Sequence, residues 1–171
     1  REILKKMLGT VAEAEGYKLD AGSLDLISIM ADGSYRDALG ILQKVINASD
    51  DKKISLAEVE KITGAPKGEI VNAFVKALAE KNAEGGITSI KEAKSENVDI
   101  KTFMNLVLHK VRLAIILKNV PKMKDEIKEE VGEEDFKLLE NFVGITDTGL
   151  NSKILSALLG AYELSGHSYI P

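Results

Sequence analysis

Apolar residues recur every three or four positions through most of this chain, and glycines or helix-capping residues separate the successive segments. This spacing is typical of amphipathic α-helices, whereas the strict alternation expected of a half-buried strand does not appear over any useful length. Aromatic residues make up only 5%, Trp is absent and Pro occurs three times. Such a composition disfavours a many-stranded sandwich, which needs β-branched and aromatic residues. We therefore predict an all-α fold.

Capping residues mark the predicted helix starts in the first third of the chain. One helix is predicted from Glu2 to Glu15, and Asp20, Ser34 and Ser55 are each expected to cap another. Four short helices in about sixty residues predict a compact module. The apolar residues expected to line its helices are Ile3, Met7, Val11, Ala14, Leu24, Ile27, Met30, Leu39, Leu42 and Val45, and Lys5, Lys6 and Glu13 are assigned to the polar face of the first helix.

A second group of helices is predicted after the breaker sequence Thr63-Gly64-Ala65-Pro66, which is the best candidate for a domain boundary. Asp99 is expected to cap the strongest helix, from Ile100 to Lys118, and Pro121 to terminate it. Later helices are predicted at 133–143 and 151–164. The apolar residues assigned to the two helices before Asp99 are Ile70, Phe74, Ala77 and Leu78 in one, and Ile87, Ile90 and Ala93 in the other.

Composition also excludes several classes of function. The chain has no cysteine, so disulfides and thiolate metal sites are impossible, and His109 and His167 do not have the spacing of a metal site. The net charge is −4, and acidic residues outnumber basic ones on both sides of residue 63, so the chain is not expected to bind DNA by itself. The apolar stretch 103–117 is too short and too charged to span a bilayer. With Arg1 at its start and Pro171 at its end, the sequence is interpreted as a fragment of a longer cytoplasmic protein.

The segment from Ala31 to Gln43 carries the chemical signal. It places Arg36 in the first turn of a capped helix, directly after a glycine turn. A fixed positive charge beside the free N–H groups of a helix N-terminus suits an anion such as phosphate. The alternative is a solvated arginine, or one paired with Asp32 or Asp37. For Asp37, helix capping explains the residue better than an acid–base role.

This segment resembles the sensor-2 motif of AAA+ clamp-loader ATPases. In bacterial DNA polymerase III gamma/tau subunits the motif is similar to Gly-Ser-x-Arg-Asp-Ala-Leu-x-Leu-Leu-Asp-Gln. The stretches 1–32 and 54–64 resemble the flanks of that lid domain, and a weaker resemblance to the collar domain rests on helix order, on 107–117 with Arg112 inside it, and on Ile170-Pro171. The residues that match the motif are Gly33, Ser34, Arg36, Asp37, Ala38, Leu39, Leu42 and Gln43, while Tyr35, Gly40 and Lys44 occupy variable positions.

The resemblance implies an all-α chain with a small four-helix AAA+ lid domain at 1–63 and a helical collar domain at 64–171. It implies that Arg36 reaches the terminal phosphate of ATP, while ATP and Mg²⁺ are bound mainly by a nucleotide core that the chain lacks. A P-loop, an acidic strand end for Mg²⁺, an arginine-finger motif and a zinc module are all missing from the sequence. The chain alone is therefore expected to hold no cofactor and to have no catalytic residue.

The resemblance also implies partners and leaves alternatives open. The collar would assemble with other clamp-loader subunits, and the full assembly would engage the sliding clamp and primer–template DNA; no membrane is involved. A replication factor C small subunit is the nearest alternative, although such subunits tend to have Arg-Arg-Ala where this chain has Arg36-Asp37-Ala38. A helical adaptor without a nucleotide role is another. The helix containing His109, itself expected to be a packing or surface residue, would be a buried centre, a surface for sister subunits, or both.

Overall fold

A computed structural model describes residues 2–165, so the predictions concerning Arg1, His167 and Ile170-Pro171 lie outside the described range. The chain divides into two compact units. The first runs to Ala65 and includes residues 129–132, and the second contains the rest from Pro66 onward. Helices dominate both units, which confirms the all-α prediction. The assignment of 1–63 to a lid and of 64–171 to a collar stays a prediction.

Within residues 2–65 the chain forms four helices, as the capping pattern predicts, and two very short strands. The elements are α1 (Glu2–Ala14), β1 (Lys18–Leu19), α2 (Ala21–Met30), α3 (Tyr35–Ala48), β2 (Lys53–Ile54) and α4 (Leu56–Thr63). The capping box at Ser55 is present, and the Glu58 carboxylate accepts hydrogen bonds from the backbone N–H and the hydroxyl of Ser55, both at 2.9 Å. These bonds lower the pKa of Glu58 below its usual value.

The two strands were not predicted, because two residues are too few to show an alternating pattern. They pair in parallel, with Lys18 opposite Lys53 and Leu19 opposite Ile54. The pairing brings the two residues that follow the strands, the caps of α2 and α4, side by side. One carboxylate then serves both helices, since Asp20 Oδ1 accepts from the Ser23 N–H at 2.7 Å and Oδ2 accepts from the Leu56 N–H at 3.2 Å.

The buried face of α1 differs from the predicted one by a single position. Leu4, Leu8 and Ala12 are buried, whereas Ile3 is 72% exposed. Lys5, assigned to the polar face, is buried on the same side as these residues, with its Nζ 3.4 Å from an Asp25 carboxylate oxygen. Burial of a lysine requires such a partner, and its aliphatic stem packs like an apolar side chain.

The second unit contains six helices among the described residues, and the sequence predicted five of them. They are α5 (Gly68–Ala79), α6 (Ala83–Ser95), α7 (Ile100–Asn119), α8 (Lys124–Val131), α9 (Glu133–Gly144) and α10 (Ser152–Ser165), with a 3₁₀ turn at Pro121–Met123; the last turn of α8 groups with the first unit. We did not predict α8, because its mostly charged sequence offers little apolar periodicity. Asp99 caps α7 by accepting from the Thr102 N–H at 2.7 Å, as predicted.

Helix α7 is the buried centre of the second unit and contacts α5, α6, α9 and α10. Phe103 and Val107 are fully buried, and the Phe103 ring meets Phe74 edge to face at 5.5 Å. This burial explains why α7 is more apolar than a surface helix. His109 is buried, so of the two expected positions, packed or at the surface, the packed one is correct. Arg112 is exposed. The surface role of α7 stays a prediction.

One buried polar group of α7 joins three helices of the second unit. Lys110 Nζ donates to Asn72 Oδ1 on α5 and to Asp135 Oδ1 on α9, both at 2.7 Å. The side chain of Lys110 is 13% exposed, so these two acceptors replace most of its hydration.

Some residues of the predicted apolar stripes are exposed. In α6, Ala93 is buried, but Ile87 and Ile90 are 55% and 41% exposed. In α3, Leu42 and Val45 are buried and Leu39 is 39% exposed. Periodicity identifies the helix, but it cannot tell which edge of a broad apolar stripe meets a neighbour. None of the helices in residues 2–165 combines the length and the apolar character that crossing a membrane requires.

Candidate functional site

The candidate site is the start of α3, and a tight turn between α2 and α3 creates it. Asp32 and Gly33 both have positive φ, at 47° and 83°, so two consecutive residues adopt left-handed conformations. The Asp32 N–H donates to the Ile29 carbonyl at 3.2 Å, and the Ser34 N–H donates to the Ala31 carbonyl at 2.8 Å. Glycine suits this turn because a side chain at φ 83° would be strained even though space is available.

Ser34 caps α3 and leaves part of its N-terminus open. Its Oγ accepts from the Asp37 N–H at 3.2 Å. The earlier donors of the first turn, the N–H groups of Tyr35 and Arg36, have no carbonyl one turn back within the helix to accept them. In a full capping box the Asp37 carboxylate would also accept from the Ser34 backbone N–H. Among residues 2–165 this bond is not formed, because the Ser34 N–H donates to the Ala31 carbonyl. The helix therefore keeps unsatisfied donors at its positive end.

Arg36 lies at the second position of α3 and is exposed to solvent. Within residues 2–165 its guanidinium makes no hydrogen bond or ion pair, so neither of the expected acidic neighbours, Asp32 and Asp37, neutralises it. A cation is disfavoured at this end of a helix, because the helix dipole already concentrates positive charge there. Asp37 in the same turn offsets part of the positive charge, but it makes no ion pair with Arg36 among residues 2–165, and a bound anion would make a cation at this position favourable.

The exposed residues around Arg36 include two apolar side chains and one glycine. Tyr35 is 51% exposed, and Leu39, one turn further on, is 39% exposed. Gly40 stands one turn from Arg36, and a Cβ added there would meet no atom within 4 Å. A glycine in a helix interior costs about 1 kcal/mol relative to alanine, yet packing within the unit gives no reason for it. We call Tyr35, Arg36, Leu39 and Gly40 the Arg36 face.

The sequence identified only Arg36 in this set as a site residue. Leu39 was assigned to the apolar stripe of its helix, and Tyr35 and Gly40 were treated as variable positions. A glycine interrupting an otherwise strong helical pattern was the available signal for a surface that another body approaches closely. Arg36 was the one predicted site residue, and the structure places three further exposed residues beside it on α3: Tyr35, Leu39 and Gly40.

Comparisons with known proteins support the resemblance. The chain is 25% identical over 132 residues to the DNA polymerase III subunit tau of Bacillus subtilis, covering 77% of the chain and 23% of that protein. It is 38% identical over 60 residues to the DNA polymerase III subunit gamma/tau of Mycoplasma pneumoniae, covering 35% and 9%. Identity to replication factor C subunit 4 of Encephalitozoon cuniculi is 27% over 105 residues, covering 61% and 33%.

These similarities confirm the resemblance to bacterial DNA polymerase III gamma/tau subunits and extend it to replication factor C. The chain spans about a third or less of the length of these relatives. No protein-family model matches the sequence.

Proposed function

We propose that the chain is part of a clamp-loader subunit of the DNA polymerase III gamma/tau kind, which places a sliding clamp on DNA in the cytoplasm at the expense of ATP. In this proposal the first unit is the AAA+ lid and the second is the collar that assembles with other clamp-loader subunits. ATP and Mg²⁺ are held mainly by a nucleotide core outside this chain, and the complete assembly engages the clamp and primer–template DNA.

The observation that carries the proposal is the state of Arg36. It is exposed, has no acidic partner in the described residues, and occupies a helix position that favours anions over cations. A terminal phosphate held against the Arg36 face would accept from the guanidinium and from the open N–H groups of the first turn. Loss of that phosphate on hydrolysis would remove the attraction and allow the lid to move relative to the core.

The exposed apolar residues of the Arg36 face support contact with a second body. Tyr35 and Leu39, one turn apart on α3, offer exposed apolar area beside Arg36, and Gly40 lets another backbone or a nucleotide come close to the helix. A purely solvated arginine would not need this arrangement. The chain itself contributes no P-loop and no metal-binding strand end, so hydrolysis belongs to the complete protein.

The test is made in the full-length protein, assembled with its partner subunits. Arg36→Ala removes a charge-assisted hydrogen bond, worth about 1.5–3 kcal/mol, so ATP-dependent clamp loading should fall roughly 10- to 150-fold. Arg36→Lys, which keeps the charge but loses the planar fork, should have an intermediate effect.

Lys44→Ala is the matched control, because Lys44 is an exposed cation two turns further along the same helix. It should load clamps at the wild-type rate. Unchanged loading and ATPase rates in Arg36→Ala would remove the nucleotide role from Arg36 and leave the adaptor interpretation in its place.

A replication factor C subunit is a second candidate, favoured by the identity to the Encephalitozoon cuniculi protein. The residues after Arg36 discriminate between the two: Asp37 and Ala38 match the gamma/tau pattern, and replication factor C subunits tend to have a second arginine at the first of these positions. Reconstitution decides between them, since loading should require the bacterial partner subunits and not those of replication factor C.

A further inference from the structure

An apolar groove lies on the second unit, away from any residue used in the proposed nucleotide role. It runs between the C-terminal end of α5, the first half of α6 and the residues that lead into α10, and its volume is about 500 Å³. Gly149 closes one end by packing tightly on α5: its N–H donates to the Ala79 carbonyl at 2.8 Å, and a Cβ at this glycine would come within 2.1 Å of the Leu78 oxygen.

The walls of the groove are aliphatic and exposed. Ile87 and Ile90, one turn apart on α6, belong to the apolar stripe that the sequence predicted for this helix, and Ile154 of α10 lines the same groove. Gly86 lowers the α6 wall, since a Cβ there would be 3.7 Å from the Phe74 ring. A larger residue at this position would cover the ring. Apolar area presented in a concave shape is typical of a binding surface.

Among the described residues that line the groove, the charged ones are two lysines, Lys81 and Lys153, although the chain contains 27 acidic residues and has a net charge of −4. Lys81 is paired with Asp147, whose pKa is lowered chiefly by its hydrogen bond to Lys81, and Lys118 also acts on this carboxylate. Lys153 is exposed and has no acidic partner within residues 2–165. Lys153 therefore offers an uncompensated positive charge at the edge of the groove, which suits an acidic partner.

We propose that this groove binds an amphipathic helix of another protein, with an apolar stripe flanked by carboxylates. Helices form both walls, and side chains spaced three and four residues apart on a bound helix would enter between Ile87, Ile90 and Ile154 while its acids reach Lys153. This inference rests on the proposed assembly role of the second unit, for which it names a binding groove and a partner chemistry, and it involves neither ATP nor the Arg36 face.

A second copy of the chain matches the groove poorly. The described helix with the most exposed leucine is α10, where Leu159 and Leu164 are 46% and 72% exposed. These residues are five positions apart, which places them off a single stripe, and only one acid, Glu163, lies between them. A partner with a continuous stripe and several carboxylates fits better.

The test uses two labelled synthetic helical peptides of about 15 residues, long enough to form a helix on the groove. Both have leucines at positions one, four, eight and eleven; one has glutamates beside the stripe and the other lysines. In anisotropy titrations with the complete chain, the glutamate peptide should bind at least about tenfold more tightly than the lysine peptide. Lys153→Glu should weaken the glutamate peptide and strengthen the lysine peptide.

Two groove variants and one matched control locate the binding. Gly86→Met fills the groove while improving helix propensity, and Ile90→Asp places a charge on an already exposed wall; each should weaken the glutamate peptide at least about tenfold. Ile100→Asp makes the same substitution at an isoleucine that is 45% exposed on α7 and outside the groove, and should leave binding unchanged.

The proposal is overturned by equal affinity for the two peptides, by no saturable binding, or by binding that Gly86→Met leaves intact. It is also overturned if sedimentation shows self-association that Gly86→Met and Ile90→Asp abolish, because the occupant would then be a second copy. None of these outcomes bears on Arg36, so failure here is distinguishable from failure of the nucleotide role.

Discussion

Reversing the charge of Arg36 should make the first unit more stable while abolishing its proposed function. Arg36 is the second residue of α3, where the helix end carries about half a positive charge. Removing an exposed cation there should gain about 0.3–1 kcal/mol, and replacing it with an anion about twice that. Arg36→Glu suits the purpose because the two residues have similar helix propensities. No ion pair or hydrogen bond of Arg36 within residues 2–165 would be lost.

Native-state amide hydrogen exchange in α3 measures this effect without interference from the second unit. The amides of Leu42 and Val45 lie in the buried part of the helix and report opening of the first unit. We expect Arg36→Glu to slow their exchange at low ionic strength, by a factor of about 3 to 30 for a gain of about 0.6–2 kcal/mol. In 1 M NaCl the gain should largely vanish, because the Debye length falls to about 3 Å.

Lys44→Glu is the control for the charge change. Lys44 is exposed on the same helix but lies beyond the first turn, where the dipole effect has faded, so its reversal should bring no comparable gain. The reasoning is refuted if Arg36→Glu is less stable than the wild type by more than about 0.5 kcal/mol. Such a loss would mean that Arg36 makes a stabilising contact within the first unit, so its side chain would not be available to bind a ligand.

Three further predictions concern stability. Gly40→Ala should stabilise the isolated chain by about 1 kcal/mol in urea unfolding, because nothing crowds the new methyl group, yet it should slow clamp loading by the full-length protein if another body approaches there. Hydrogen bonds from Ser55 lower the pKa of Glu58, so wild type should be more stable than Glu58→Gln at pH values above the unfolded pKa of about 4.3. This difference in the free energy of unfolding should disappear as the pH falls through the lower folded pKa, and urea unfolding at a series of pH values measures it. Lys110→Met leaves two acceptors without their donor and should cost about 1–3 kcal/mol, whereas Lys137→Met, which removes an exposed pair, should cost under about 1 kcal/mol.

Short-range signals in the sequence predicted the helices well. Asp20, Ser34, Ser55 and Asp99 all cap the helices expected of them, because a cap depends on atoms within three or four residues of chain. The start of α3 and the position of Arg36 in it follow from the same local chemistry. Most helix positions could therefore be predicted without knowing the tertiary contacts.

What the sequence could not predict depends on contacts between distant segments. Lys5 is buried with its Nζ between a carboxylate oxygen of Asp25 at 3.4 Å and the carbonyl of Glu130 at 2.5 Å, both distant in sequence. Ile87 and Ile90 have the spacing of core residues, yet the neighbours among residues 2–165 leave them 55% and 41% exposed. The exposure of Tyr35 and Leu39 beside Arg36 was missed for the same reason, since the sequence does not show which apolar residues a neighbouring helix will cover.

The parallel pairing of β1 with β2 has a mechanical consequence for the first unit. It fastens residue 18 to residue 53, and the Asp20 carboxylate adds a second tie to the start of α4. A force applied where the chain leaves α4 must therefore break the strand pairing and the Asp20 bond before α4 separates from the other three helices. We expect the four helices to move together under such a force and to carry Arg36 with them.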